Sequence, residues 1–379
     1  LEEYNDNIYE TRSNRLSGFI THISPSLKGD YNSRLWTWNL NYEPEYIMFH
    51  SGKQGNELRH NLLAAGNIRL IDNFLYLNIS DEYKKNSFDG NRQTQYANLY
   101  NQNIFSVSPY IDYRINPRWS ASAGYRYVNR SYSGSQSINN EEHGGFLKLT
   151  RDTGPRSNVY TKADYSRIIP ETGQSHDRLT HVVGAEYRHA KDSNIHAEAG
   201  YSIFFPASGG STTTSPFWNV GILQAVDQYR FSLDSGVTFD NDPGLSSSER
   251  RSVSGRIERD YSRGVIGIYG RYNDTINSTD NANSQWFTTG IDVSHLVTLR
   301  VTSHFSLSTD KYLNNSRDLY RNLFTAGVKY EVYKDLYCGI DYNRIAYSDS
   351  FFSPIGPIEA NRIMVFVTKT FQGLNYKQN

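Results

Sequence analysis

Residues 227–240 read DQYRFSLDSGVTFD, and this stretch decides the fold class. Apolar side chains occupy every second position from Tyr229 to Phe239, with Ser235 as the single exception, and polar residues or glycine occupy the positions between them. A period of two puts successive side chains on opposite faces of a β-strand. The stretch therefore predicts a strand with one apolar face and one charged face.

The same alternation recurs through the chain, in segments that begin about every 19 residues. Clear examples are residues 119–127, 195–203 and 301–308. Connections containing Gly, Pro, Asn or Asp alternate between tight turns and longer polar loops. The strands are therefore joined by tight turns at one rim of the predicted sheet and by longer loops at the other. That asymmetry is typical of a transmembrane β-barrel with periplasmic turns and extracellular loops.

These patterns predict an all-β fold, a single transmembrane antiparallel β-barrel of about 20 strands (18–20), with short periplasmic turns and longer extracellular loops. Residues 2–11 are expected to form the first strand, and residues 361–371 the last, which ends in Phe371. Pro25 and Pro109 lie inside strand-like segments, and each predicts a bulge or bend because proline donates no ladder hydrogen bond.

The composition suits a barrel wall in a membrane. The chain of 379 residues has 30 Tyr and 18 Phe, and its mean hydropathy is −0.65. Barrel strands place only alternate residues against lipid, so a low mean hydropathy is compatible with them. The aromatic residues at predicted strand ends, such as Trp119 and Phe239, match the interfacial girdles of a barrel. A soluble sandwich or propeller would instead bury the apolar face. The whole chain, 1–379, is expected to form a single domain in the bacterial outer membrane, in contact with its lipid.

The sequence offers no recognisable catalytic or cofactor signature. Lys and Arg together number 39, as do Asp and Glu, so the formal charge is zero and no nucleic-acid footprint is expected. Cys338 is the single cysteine, which excludes paired-thiol zinc sites and an internal disulfide. The acidic segments 240–242 and 279–281 lack the spacing of a known calcium loop and read as solvated loops. We expect neither enzymatic activity nor a cofactor or metal.

Charged residues of the polar face are the candidate functional residues, because rings of charge tune what passes a pore. Opposite charges on neighbouring strands also pair and brace a sheet, which is the alternative role for the same residues. The candidate pore-lining residues are Arg126, Glu186, Arg188, His196, Glu198, Arg230, Asp234, Arg256, Glu258, Arg271 and Asp341.

The opening residues carry a family resemblance. The segments YNDNIY (4–9), FITHISPSL (19–27) and WTWNLNY (36–42) resemble the start of a family of outer-membrane β-barrel porins that are linked to exopolysaccharide export and exosortase-type systems. Family members carry Asp where this chain has Asn5, and Gly where it has Ser26. The resemblance covers about the first 45 residues, and it implies a barrel and a role in export.

The sequence thus predicts a non-enzymatic outer-membrane channel that serves as the exit pore for an extracellular polysaccharide. One alternative is a sheath barrel that houses a partner such as a multihaem cytochrome conduit, and another is a general diffusion porin. Expected partners are membrane lipid and either a periplasmic export component or a protein that fills the lumen. No plug domain or constriction loop is recognisable, which counts against the porin.

Overall fold

The computed structural model describes residues 1–87, 99–133, 138–206, 211–240, 248–277, 283–313, 319–348 and 358–371. In these ranges the regular structure is entirely β, in one large sheet whose strand pairs are antiparallel. The strands are β1 (Glu2–Asn5), β2 (Gly18–Ile23), β3 (Leu27–Asn32), β4 (Trp36–Tyr42), β5 (Glu45–Phe49), β6 (Glu57–Arg59), β7 (Leu62–Ile71), β8 (Leu75–Ser87), β9 (Leu99–Asn116), β10 (Trp119–Tyr132), β11 (Asn140–Gly154), β12 (Ser157–Pro170), β13 (His176–Ala190), β14 (Ser193–Pro206), β15 (Thr213–Val226), β16 (Tyr229–Asp240), β17 (Ser248–Tyr261), β18 (Gly264–Asn277), β19 (Asn283–Leu296), β20 (Val301–Leu313), β21 (Leu319–Tyr333), β22 (Leu336–Ser348) and β23 (Ile358–Lys369).

Strand β16 is the stretch whose alternation predicts the fold. Its apolar residues Phe231 and Leu233 are 39% and 49% exposed. Ser235 interrupts the apolar face because its hydroxyl accepts a hydrogen bond of 3.0 Å from the indole N–H of Trp218 on β15. The exception in the pattern is therefore a satisfied polar contact between neighbouring strands.

The described sheet has 23 strands, so the predicted count of about 20 is wrong. The physical reason is that three neighbouring long strands are each interrupted once, so that each counts as two: β2 with β3, β4 with β5, and β6 with β7. Strands β2 and β3 pair with β5 and β4 in one continuous register, and that register sets Pro25 opposite Pro44. Neither proline donates a ladder hydrogen bond. Strands β6 and β7 break at the same height, around His60, again without a change of register.

The first and last strands pair with each other. Strand β1 lies between β2 and β23, with four residue pairs on each side. Among the described residues, β3 pairs only with β4, and the residues of β23 that follow Val365 pair only with β22. These two edges face each other without a ladder between them. The described sheet is therefore not closed, because β1 is too short to fill the space between its neighbours and no ladder among the described residues joins β6 to β8.

Pro109 has a weaker effect than a bulge. It pairs with Leu77 on β8 inside an uninterrupted register. On its other side, the β9–β10 ladder omits the pairs at Tyr125 and Arg126 and then resumes in the same register. The predicted bulge is therefore wrong, and the proline causes only a local gap in the ladder.

Tight turns occupy one rim of the sheet, which we call the turn rim. Asn73, Asp227 and Asp335 lie in these turns with φ of 58°, 51° and 62°, a region that Asn and Asp tolerate better than other non-glycine residues. We call the opposite rim the loop rim. Most of its predicted longer loops fall in residues 88–98, 134–137, 207–210, 241–247, 278–282, 314–318 and 349–357, outside the described residues.

The outward face of the strands is apolar and exposed. Leu147, Val183 and Ile268 are between 57% and 58% exposed, although they lie mid-strand in a well-paired sheet. An extended exposed apolar surface of this kind marks a membrane-facing or partner-facing region. In the described residues, no helix is long and apolar enough to cross a membrane.

Pairing between β1 and β23 is testable by crosslinking. In a Cys338→Ala background, Glu2→Cys with Val365→Cys should form a disulfide under mild oxidation, because these residues are directly paired and paired residues place their Cβ atoms about 4.5–5.5 Å apart. Glu2→Cys with Val367→Cys is the control, since its second cysteine lies about 6.6 Å further along the strand. Equal crosslinking of the two variants would contradict this pairing.

Candidate functional site

The pairing registers place all eleven candidate pore-lining residues on one face of the sheet. Residues directly opposite each other in a ladder share a face, and the ladders relate Glu186 to His196 and Arg230 to Glu258. Arg126 is on the same face, because the ladders pair it with Gly144, Gly144 with Ser166, and Ser166 with Arg178, which shares its face of β13 with Glu186. The exposed apolar residues lie on the other face. We call the polar side the lumenal face, and a role in conduction stays a prediction.

One ion-pair network lies on β10, β11 and β12. Arg126 donates hydrogen bonds to Glu142 (3.1 Å) and to both carboxylate oxygens of Asp164 (3.0 and 3.2 Å). Arg130 donates to the other oxygen of Glu142 at 2.8 Å. The side chain of Glu142 is only 3% exposed. Two arginines thus neutralise a buried carboxylate, which stabilises a buried charge that would otherwise be costly.

A second network crosses β16, β17 and β19. Arg256 binds both oxygens of Asp292 at 2.9 Å and donates to Glu258 at 2.8 Å. Arg230 donates to Asp260 at 3.1 Å and lies 3.5 Å from Glu258. The bidentate Arg256–Asp292 geometry is the strong form of such a pair. These charges brace neighbouring strands, as the alternative interpretation expected.

The remaining candidates have weaker contacts. Glu198 accepts a hydrogen bond from the Tyr160 hydroxyl at 2.7 Å, and Asp341 lies 3.2 Å from His304. Glu186 accepts a hydrogen bond from Asn158 at 3.4 Å, and His196 forms one with Asn219 at 3.4 Å. Arg188 lines a recess at the turn rim together with Glu186. Within the described ranges, Asp234 and Arg271 form no ion pair.

The predicted first strand ends early, and the chain then folds inward. Strand β1 stops at Asn5 rather than at Thr11. In the following segment, residues 6–17, Ile8 is fully buried against Ile20, Ile47 and Phe49, which lie on the lumenal face. We call residues 6–17 the inward segment. Sequence reasoning missed it, although Ile20 beside Phe19 breaks the alternation and signals that both faces of β2 are covered.

Buried charges fasten the inward segment to the wall. Glu10, which is 2% exposed, accepts hydrogen bonds from Arg362 at 2.8 Å and from the Tyr347 hydroxyl at 2.7 Å. Arg362 also lies 3.9 Å from Glu3. The Arg362 guanidinium therefore pairs with Glu10 on the inward segment, whereas Glu3 on β1 lies between Arg362 and the ring of His22, which is 3.4 Å away.

In the β16–β17 hairpin, the loop-rim end of β16 separates from β15, whereas β17 stays paired with β18 up to Ser248. The β15–β16 ladder stops at the pair Asn219–Gly236, whereas the β16–β17 ladder continues to Asp240. Beyond that point Val237 is 2% exposed, and the Phe239 ring lies 5.3 Å from the Phe204 ring on the lumenal face of β14. The end of this hairpin is therefore folded inward, with its apolar side against the wall. We call it the inward hairpin end.

A polar region that is rich in uncharged side chains covers the wall near β4, β7, β8 and β9, and Asp30 is the charged residue in its lining. Asn67 donates hydrogen bonds to Asn78 at 2.5 Å and to the Tyr110 hydroxyl at 3.1 Å. Together with Asn39 and Ser80, the two asparagines line a cavity of about 580 Å³ that is open to solvent. We call this region the amide wall. Apart from Asp30, it offers neutral donors and acceptors, whereas β10–β12 and β16–β19 carry paired charges.

Metal binding finds no support in the described ranges, where no three His, Cys, Asp or Glu side chains are grouped closely enough to hold an ion. Comparison with known proteins is informative only at the level of fold. No family model matches the chain, and no curated protein matches it.

Solved structures share the architecture. The copper transporter OprC matches with a TM-score of 0.54 and 9% identity over 91% of this chain and 66% of that chain. A mutant ferric enterobactin receptor (PfeA) from Pseudomonas aeruginosa matches with a TM-score of 0.50 and 10% identity, covering 97% and 80%. The FrpB iron transporter from Neisseria meningitidis has a TM-score of 0.50 and 9% identity, covering 96% and 80%.

These neighbours support the predicted fold but not the predicted family. Identities near one residue in ten show a shared fold and no more. With the exposed apolar face, the shared fold supports the predicted β-barrel architecture and the outer-membrane location. The chain spans about two thirds of the copper transporter. None of the three neighbours supports the porin family or the exopolysaccharide-export systems that the opening residues resemble.

The buried ion pairs of the inward segment yield a stability prediction. Arg362→Gln removes the guanidinium that pairs with the buried Glu10 at 2.8 Å, and breaking a buried pair in this way costs about 3–5 kcal/mol. The loss should appear as a lower urea midpoint for the protein in lipid vesicles, followed by tryptophan fluorescence. Arg34→Gln is the control, because Arg34 pairs with Asp72 in an exposed position at the turn rim and its loss should not move the midpoint. A wild-type midpoint for Arg362→Gln would refute the fastening role.

Proposed function

We propose that this chain is an outer-membrane channel that conducts saccharides, and that its specific role is the exit pore for an extracellular polysaccharide. The observation that carries the proposal is a single polar face that the strand registers continue around the sheet, with the exposed apolar residues on the other face. In this proposal the wall closes at β1, which pairs with both β2 and β23. A periplasmic export component would deliver the polymer.

The chemistry of the lumenal face favours a saccharide over an inorganic ion. Most lumenal carboxylates and guanidiniums neutralise one another in pairs, as Arg256 and Asp292 do. A face of paired charges has no ring of a single sign, and such rings are the usual basis of strong ion selectivity. The amide wall supplies neutral groups, and Asn side chains match sugar hydroxyls because each carries both donors and an acceptor.

The second candidate is a general diffusion porin, and one observation favours it. The inward segment packs on the lumenal face, and in this proposal it serves as the constriction that the sequence did not predict, which weakens the main argument against a porin. The sheath barrel is less well supported, because the inward segment and the inward hairpin end both occupy the lumenal side that a partner protein would need.

Conductance distinguishes these candidates. Single-channel recordings in planar bilayers, with neutral polymers of graded size added, should show a stable pore. Replacing residues 9–15 by a short Gly-Ser linker should raise the conductance and the size of the largest polymer that enters, because the inward segment narrows the lumen. The same replacement in the loop at residues 171–174, which lies at the same rim, is the control and should change neither quantity.

Substrate size separates the two roles. In vesicles, an exit pore should pass linear neutral oligosaccharides of many residues, whereas a diffusion porin should pass only small sugars. Passage of small sugars alone would reject the polysaccharide role and favour the porin. Absence of conductance from the wild-type protein and from the linker variant would contradict both roles.

A further inference from the structure

A small cavity lies between the wall and the inward hairpin end. Its volume is about 220 Å³. The strands β10, β12, β13 and β14 supply the charged side, and Phe217 and Phe239 supply aromatic rings. Because β16 has left the wall at this height, Phe239 faces the lumenal residues of β13 and β14.

Arg178 is the unusual residue of this cavity. Its Nη1 atom is buried and has no hydrogen-bond partner. Among the described residues the Arg178 side chain forms no ion pair or hydrogen bond, and the Phe239 ring centroid lies 5.3 Å from its guanidinium carbon. Glu142 and Asp164 act on Arg178 electrostatically without direct contact. Arginines elsewhere on the lumenal face, such as Arg126 and Arg256, bind carboxylates directly. A buried guanidinium with an unused donor is expensive unless something pairs with it.

The charged side chains that line the cavity have a net charge of +1. Three cations line it, namely Arg126, Lys162 and Arg178, and two carboxylates, Asp164 and Glu198. Arg126 binds both oxygens of Asp164, and Lys162 lies 3.9 Å from the same carboxylate. Glu198 accepts from Tyr160. Among the described residues neither Glu198 nor Arg178 has a partner of opposite charge in direct contact, and the five lining charges sum to +1. Arg178 is therefore the lining cation whose hydrogen-bond donors are not taken by a carboxylate.

We propose that Arg178, with Phe217 and Phe239, forms a lumenal binding site for a carboxylate carried on a saccharide-sized ring, as in a uronic acid. A guanidinium binds a carboxylate through two parallel hydrogen bonds, which a neutral hydroxyl cannot reproduce. The nearby carboxylates disfavour a dianion, whereas a monoanion balances the excess charge. The phenyl rings offer apolar surface to the C–H face of a sugar ring.

This inference deepens the proposed function, and its physiological meaning rests on that function. If the chain conducts a polysaccharide, the polymer it conducts is acidic, and its uronate residues pass Arg178. The binding itself is a property of the folded protein and can be measured without any transport.

Equilibrium binding of D-glucuronate to the purified full chain in detergent tests the site. Isothermal titration should show binding of glucuronate, and D-glucose, which lacks the carboxylate, should bind at least about tenfold more weakly, a difference of about 1.4 kcal/mol. Arg178→Gln should weaken glucuronate binding by about the same factor or more, and Arg178→Lys should recover only part of it because lysine cannot form the two-pronged contact.

Arg188→Gln is the matched control. Arg188 lies on the same strand and the same face, ten residues nearer the turn rim, or about 33 Å away, so its loss should leave glucuronate binding unchanged. Equal weakening by Arg188→Gln would show a diffuse charge effect and overturn the site, as would equal binding of glucose and glucuronate or no binding of either. Glucuronate binding by a protein that conducts nothing would support the site while rejecting the proposed channel. Conductance without Arg178-dependent binding would do the reverse.

Discussion

A bilayer offers the backbone no hydrogen-bond partner, so every N–H and C=O that crosses it must be satisfied within the protein. Paired antiparallel strands meet this constraint, and they impose a period of two on the side chains. The remaining features of this chain follow from that period. Apolar side chains gather on the outward face, where they are exposed in the absence of lipid, and the charged side chains gather on the other face, where they must pair or meet water.

The lumenal face satisfies its charges unevenly around the wall. The networks centred on Arg126 and Arg256 hold strands of the wall together, and Arg362 fastens the inward segment by pairing with Glu10. The amide wall carries no such network. A lumen with paired charges on one side and neutral amides on the other is suited to hydroxyl-rich solutes, and Arg178 is the residue whose charge is left for a ligand.

Periodicity in the sequence was sufficient to predict the fold class and the face of each candidate residue, because both depend only on local alternation. It was insufficient where tertiary packing overrides the local pattern. The inward segment begins with strand-like residues, yet Glu10 and Ile8 leave the wall because burial beside Arg362 and Ile47 stabilises them more than a ladder would. Similarly, apart from Ser235 the alternation continues to Phe239, although the hairpin end has folded inward. The strand breaks near Pro25 could not be predicted from local pattern, because they depend on Pro44 lying opposite Pro25. That pairing is set by the register between distant parts of the chain.

The most direct test of this account is a nitroxide scan of residues 229–240 in lipid vesicles, comparing relaxation by lipid-soluble oxygen with relaxation by a water-soluble nickel chelate. The account predicts that labels at 231, 233 and 235 respond to oxygen and labels at 230, 232 and 234 respond to nickel, whereas labels at 237 and 239 are shielded from oxygen because the hairpin end lies inside. Nickel access at 231 and 233 would contradict a membrane-facing wall. Full oxygen access at 237 and 239 would contradict the inward fold of the hairpin.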